Sequence, residues 1–207
     1  LLAGARFNLD ELFAGCKAKD NVFAGCEYQA RVNELVDLAG LNTPPQGLWP
    51  DWRDPRIDAV VALAPGADMF GKTGTQEMQA PIMLIAGSLD ESVGPALAYF
   101  DTYRQLPGAR KSLVTVENAS HLIFFNACPA NPGVVDEGLY WVCSDPVWDM
   151  NRAHDLINHF ATAFLLAELK GDAEAAKALA PENVAFPGIQ YETTAYTATV
   201  KAAATKP

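Results

Sequence analysis

Two strand-like apolar runs in the middle of the chain constrain the fold most, because each stops just before a side chain that can hold or transfer a proton. Residues 81–87 are followed by Asp90, and residues 111–117 are followed by His121. Nearly continuous apolar runs are typical of strands covered on both faces, as in parallel sheets. Ligands bind at the carboxyl ends of such strands. The sequence therefore predicts that Asp90 and His121 converge at one edge of a parallel sheet.

The order of these two residues predicts a particular chemistry. Asp before His is the second half of the Ser…Asp…His order found in one class of hydrolases. His121 would act as the base, and Asp90 would hold the ring in the correct tautomer. The first half, a Ser in a G-x-S-x-G turn, does not occur in the 207 residues. None of the candidate serines has the flanking glycines of such a turn: Ser88, Ser92, Ser112, Ser120 and Ser144.

The rest of the chain predicts an α/β fold in a single domain. We expect helices at 1–14, 28–38, 95–105, 151–170 and 172–180, strands at 57–64, 81–87 and 111–117, and a long irregular segment at 122–145. Strands that alternate with helices indicate a parallel sheet flanked by helices. The 57–64 strand is too apolar for a bare edge, so we expect it to pair with a strand outside this chain. Residues 1–180 would form the domain and 181–207 a peripheral tail.

Charge and hydropathy exclude several classes of partner. The net charge is −10 and the pI is about 4.7, which argues against binding to nucleic acid, since phosphates need a basic surface. The chain has no run of 18 or more apolar residues, so the sequence predicts no transmembrane helix. The chain starts in the middle of an apolar pattern without a Met, so we expect a processed product or a fragment.

The four cysteines allow three pairings. Short loops favour Cys16 with Cys26 and Cys128 with Cys143, and each bridge would stabilise the chain by roughly 3 kcal/mol on the chain-entropy model. Disulfides would indicate an oxidising compartment, so that the protein is secreted or periplasmic. Four buried thiols in a cytosolic enzyme are the alternative. A zinc site is not predicted, because the chain has no C-x-x-C motif.

Four segments resemble the α/β-hydrolase superfamily, and within it the dienelactone-hydrolase-like and platelet-activating-factor-acetylhydrolase-like group. They are residues 54–65, 80–90, 118–121 and 151–160. The resemblance covers about residues 1–169 and implies the C-terminal part of an α/β-hydrolase fold. An N-terminal chain or segment of the same hydrolase would complete that fold. Residues 1–6 resemble the helix that follows the nucleophile turn, so the Ser would lie shortly before Leu1.

The resemblance implies a carboxylic ester hydrolase of the carboxylesterase or lipase-like kind, in which Asp90 and His121 act on a Ser from outside this chain. No metal or organic cofactor is implied. Two alternatives stay open: a dienelactone-hydrolase-type enzyme with a Cys nucleophile, and a non-catalytic pseudo-hydrolase that binds its ligand.

Candidate substrate-binding residues are apolar and follow the predicted strands. Met69 and Phe70 follow the 57–64 strand, and Leu122 follows His121. Ordinary packing within the loop is the alternative for Met69 and Phe70. The three residues favour an uncharged or lipid-like ester as the substrate, which includes polyester-type substrates and a role in lipid degradation. This expectation rests partly on analogy with the family. His154 and His159 are five residues apart and do not share a helix face, so we expect packing roles for them and no metal site.

Overall fold

A computed structural model gives the fold of the chain and describes residues 1–17, 25–92, 98–108 and 110–196. The regular elements are helices α1 (Leu9–Cys16), α2 (Val32–Leu38), α3 (Ala98–Gln105), α4 (Pro132–Asp136), α5 (Met150–Lys170) and α6 (Ala173–Ala178), and strands β1 (Val60–Leu63), β2 (Ile82–Gly87), β3 (Lys111–Val116) and β4 (Ile189–Thr193). Short 3-10 turns connect several of them.

The four strands form one mostly parallel sheet in the order β1-β2-β3-β4. The pairs β1–β2 and β2–β3 are parallel, and β3–β4 is antiparallel. With helices flanking this sheet, the chain has a mixed α/β fold, as the alternation of elements predicted.

Both faces of the central strands are buried. Met83 and Ile85 of β2 point to the face covered by α5, where Phe160 and Phe164 pack. The alternate residues of β2 point to the opposite face, which α3 covers. Burying one large apolar side chain contributes about 1.5–3 kcal/mol, so the two phenylalanines of α5 hold that helix on the sheet. The predicted 151–170 helix is confirmed: Asp149 caps its start and Gly171, at a φ of 65°, ends it.

The predicted helix at 1–14 is wrong for its first half. The helix begins only at Leu9, because the Asn8 side chain accepts the backbone N–H of Glu11 and caps it. Gly4 has a φ of 98°, which is incompatible with a helix. The preceding residues are held by long-range backbone bonds, such as Arg6 N–H to the Gly74 carbonyl (2.7 Å). Residues 1–6 are therefore not the continuation of a helix.

The first strand is shorter and less covered than predicted. β1 spans four residues where the pattern predicted eight, and its Leu63 side chain is 47 % exposed. β1 pairs with β2 along one edge, and no strand of the described chain pairs with its other edge.

The prediction that the chain after residue 180 is a peripheral tail is wrong for residues 181–196. β4 lies in that stretch and pairs with β3. Tyr191 stacks on Phe160, with ring centroids 5.6 Å apart, and the Tyr196 hydroxyl donates to Glu168 at 2.6 Å. These contacts tie the segment to the core. Residues 197–207 lie outside the described residues.

Three other expectations are refined. The predicted 95–105 helix is described from Ala98, and residues 93–97 lie outside the described part of the chain. The predicted 28–38 helix begins as a 3-10 turn, Cys26–Arg31, before α2. The 122–145 segment is mostly irregular, but it contains α4, most of the 3-10 turn His121–Phe124, and two further 3-10 turns, Cys128–Ala130 and Tyr140–Val142.

Two disulfides, Cys16–Cys26 and Cys128–Cys143, join the pairs that loop length favoured. Every cysteine is therefore bridged. In the part of the chain that the structure describes, no helix is long and apolar enough to span a bilayer.

The pairing predicts a specific mass. The intact protein without reductant should weigh four hydrogens less than the fully reduced chain, because each bridge removes two. Peptide mapping should recover the two bridged pairs and no other pairing. A mass that matches four free thiols would contradict both bridges.

Candidate active site

The register between β2 and β3 places the ends of the two strands side by side. Gly87, the last residue of β2, is the parallel partner of Val116, the last residue of β3. The loops that carry Asp90 and His121 therefore leave the sheet from neighbouring points. Their side chains approach because the strand ends are level, as the sequence predicted.

Direct hydrogen bonds fasten the two loops together. Leu89 N–H donates to the Ala119 carbonyl (3.0 Å), and Asn118 N–H donates to Ser88 Oγ (2.8 Å). Asn118 has a φ of 58°, in the left-handed region that Asn tolerates better than most residues. This conformation turns the chain sharply after β3, so that His121 comes back over the edge of the sheet.

Gly87 allows the loops to come this close. A Cβ at this position would lie 2.4 Å from the Ala119 carbonyl oxygen and 2.8 Å from the Ser120 carbonyl oxygen. Both are backbone atoms, which cannot move without shifting the whole loop. The glycine is therefore required by space, and the position of His121 depends on it.

Asp90 and His121 form a hydrogen bond in this setting. The distance between His121 Nδ1 and Asp90 Oδ2 is 2.8 Å. A carboxylate can only accept, so this bond favours the tautomer of the neutral ring in which Nδ1 carries the proton and Nε2 has the lone pair. Ser92 N–H donates to the other carboxylate oxygen at 2.9 Å. The Asp90 side chain is 0 % exposed and that of His121 is 30 % exposed, so a buried acceptor orients a ring that solutes can reach.

Asp145 holds the backbone next to His121. Its Oδ2 accepts from the N–H (3.0 Å) and the hydroxyl (3.1 Å) of Ser120, and its Oδ1 accepts from Val147 N–H (2.9 Å) and Trp148 N–H (3.0 Å). Burial raises the pKa of this carboxyl group, but the four hydrogen bonds outweigh burial and leave the pKa below its ordinary value. Sequence reasoning missed Asp145, although Asp-Pro is a common start of a turn.

His121 faces a cavity of about 530 Å³. Its lining comes from the two loops, from the segment closed by the second disulfide and from the residues just after Cys143: Leu89, Glu91, Ser92, Ser120, His121, Leu122, Trp141, Ser144 and Pro146. This volume lies in the range of pockets that hold small ligands.

The predicted substrate-binding residues separate into two groups. Leu122 lines the cavity. Met69 and Phe70 lie elsewhere: Phe70 stacks on Phe7 with centroids 5.8 Å apart, and Met69 packs against the cluster around Trp49. They are not among the residues that line the cavity at His121.

Hydroxyl groups near His121 have other partners. Ser120 Oγ donates to Asp145, and Ser144 Oγ donates to the Tyr140 carbonyl at 2.6 Å. Among the residues that the structure describes, no serine hydroxyl is hydrogen-bonded to the His121 ring. The geometry thus presents an imidazole that Asp90 orients and to which no described hydroxyl group is bonded.

The other histidines have packing and capping contacts. His154 Nε2 is 3.0 Å from the Ile123 carbonyl, which also ties α5 to the turn after His121. The His159 ring meets Phe160 and Phe186 edge to face. Within the described ranges, no group of three or more His, Cys, Asp or Glu residues is placed to hold a metal ion.

Replacing Gly87 by Ala should move the His121 loop. We expect a loss of about 1–3 kcal/mol in the free energy of unfolding, because the added methyl group overlaps two backbone oxygens. Gly133→Ala is the matched control: it sits in α4, and a Cβ there would have no neighbouring atom within 4 Å, so it should be neutral or stabilising. Urea unfolding would measure the change in stability, and the NMR signal of the His121 Nδ1 proton would report the movement of the loop. Equal behaviour of the two variants would contradict the role of Gly87.

Asp145→Asn should destabilise the protein by about 1–3 kcal/mol at neutral pH, because the amide cannot accept all four bonds. The folded pKa of Asp145 lies below its unfolded value, so its contribution is complete above the unfolded pKa of about 3.9 and is lost as pH falls through the folded pKa. The difference in unfolding free energy between wild type and variant should therefore shrink between about pH 5 and pH 2. Asp136→Asn, at an exposed carboxylate of α4, is the control and should have little effect at either pH. A difference in unfolding free energy that stays constant with pH would contradict this role of Asp145.

No family model and no curated protein matches this chain.

Proposed function

We propose that this chain carries the base and the orienting acid of a serine ester hydrolase. The observation that supports this most is the 2.8 Å bond from His121 Nδ1 to a fully buried Asp90, in a ring that faces a cavity. A buried carboxylate on Nδ1 and a free Nε2 are what a general base needs.

The reaction would proceed in two acyl-transfer steps. His121 Nε2 takes the proton of a serine hydroxyl as that oxygen attacks the ester carbonyl, and Asp90 stabilises the imidazolium ion. The ring then gives the proton to the leaving alkoxide, which departs as the alcohol. Water repeats the sequence on the acyl-enzyme and releases the carboxylic acid and the free serine. The mechanism uses no cofactor.

The open edge of β1 supports a nucleophile from outside these 207 residues. The apolar residues of β1 pair with β2 on one side, and Leu63 is left largely exposed. A further parallel strand on the free edge would cover this surface and would end at the same edge of the sheet as β2 and β3. A serine just past its end would face His121. We therefore propose that an N-terminal chain or segment of the same α/β-hydrolase supplies it.

The two disulfides support an oxidising location. We propose that the hydrolase is secreted or periplasmic and acts on an uncharged or lipid-like ester there. Because every cysteine of this chain is bridged, a thiol nucleophile of the dienelactone-hydrolase type would also have to come from outside it.

The roles of Asp90 and His121 can be tested in the complete protein that carries the nucleophile. His121→Ala should lower kcat for a 4-nitrophenyl ester by about 10³-fold or more, because the base is lost. Asp90→Asn should lower it by about 10⁴-fold, since the amide stabilises the wrong tautomer. A spectrophotometric assay of 4-nitrophenol release measures both.

Glu91→Gln is the control for Asp90. Glu91 is the neighbouring acid, it is exposed, and its side chain has no described bond to His121. Its replacement should change kcat less than about tenfold, as expected for a surface charge near a site. A loss below tenfold in His121→Ala would discard the assignment. Labelling by a fluorophosphonate would identify a serine nucleophile, labelling by a thiol-specific probe alone would identify a cysteine, and labelling by neither would indicate a binding protein.

A further inference from the structure

Large apolar side chains are exposed around the His121 cavity. Trp141 lines the cavity and is 65 % exposed, and Leu89, on the opposite loop, is also exposed. Pro146 and Leu122 continue the same lining. Exposed apolar residues are ordinary when they are scattered, but a group of them around one cavity marks a binding surface.

The backbone that carries Trp141 is fixed, although its side chain is exposed. Trp141 lies in the 3-10 turn Tyr140–Val142, directly before the bridged Cys143. Cys128 N–H donates to the Cys143 carbonyl at 3.0 Å, beside the disulfide, and the Cys143 residue is buried. A tryptophan on a fixed backbone loses little freedom when a ligand packs against it.

The charges around the cavity disfavour an anionic ligand. Among the described residues of the lining, Glu91 is the one acidic residue, and none is Lys or Arg. The whole chain carries a net charge of −10. A ligand carboxylate or phosphate would find no counter-ion there and would be repelled, whereas an uncharged apolar group would lose only its contact with water.

We infer that Trp141 is the specificity-determining residue of the His121 site and that its indole packs against a bulky, uncharged, apolar acyl group of the ester. This inference rests on the proposed function for its catalytic part. Contact with an indole face stabilises an aryl group through ring stacking and an alkyl chain through burial alone. An acetyl group offers the indole much less apolar area, so it gains much less from the contact.

The kinetic test compares acyl groups in the complete protein. Trp141→Ala should lower kcat/KM for 4-nitrophenyl hexanoate and benzoate by about tenfold, which corresponds to roughly 1.4 kcal/mol, mostly through KM. The acetate ester should change less than about twofold. Trp141→Phe should restore most of the benzoate activity, because it restores a ring face. Leu38→Ala is the control, because Leu38 is an 85 % exposed apolar residue of α2 outside the cavity. It should leave the ratios of kcat/KM among the three esters unchanged.

A binding test separates this inference from the proposed function. Phenyl hexyl ether is uncharged and cannot be hydrolysed, and it should shift the NMR signal of the Trp141 indole N–H, which is assigned by its loss in Trp141→Phe. If His121→Ala keeps its activity while the indole signal shifts, the proposed function fails and the apolar subsite stands. If hexanoate and acetate lose activity equally in Trp141→Ala, the inference is overturned. Where no hydrolysis is detected, the ether titration decides, and an unshifted indole signal overturns the inference.

Discussion

The backbone ladder between β2 and β3 is the constraint on which the candidate site depends. Six residue pairs, from Ile82 with Lys111 to Gly87 with Val116, hold the two strands level. A slip of one residue would displace Asp90 from His121 by about 3.3 Å and turn the strand's core residues to the other face. Because β2 is buried on both faces, such a slip would exchange the side chains packed under α5 with those packed under α3. Core packing therefore also fixes the distance between the Asp90 and His121 side chains.

The part of the site that could be predicted from the sequence depends on these two strands. Residues just past two buried parallel strands must lie at the same edge, so the approach of Asp90 and His121 followed from strand pattern and chain order alone. The same reasoning predicted that Met69 and Phe70 would line a pocket at that edge, but neither residue lines the cavity at His121. Phe70 instead stacks on Phe7, from a non-helical stretch that no local pattern reveals. Where a loop side chain packs depends on which distant segment reaches it.

Other features were missed for different physical reasons. In β4, Ile189 and Tyr191 alternate with polar residues, which is a readable two-residue period, but an Ala-rich region next to it favoured the interpretation as a tail. The start of α1 follows from one capping bond of Asn8, which competes with an apolar periodicity that continues before it. Asp145 could be recognised as a turn residue, but its bonds to Ser120 cross 25 positions of sequence. Only the folded chain brings that carboxylate next to the His121 loop.

The second disulfide links the cavity wall at Trp141 to the loop that carries His121. It closes the segment that presents Trp141 to the cavity, and Asp145 follows Cys143 by two residues. The bonds of Asp145 to Ser120 then transmit the position of that segment to the residue before His121. Closing a 15-residue loop raises the free energy of the unfolded chain by roughly 3 kcal/mol. This is larger than the contribution of a single hydrogen bond to stability. One covalent bond therefore constrains both the cavity wall and the position of His121, so that an oxidising environment would favour an assembled site as well as a stable fold.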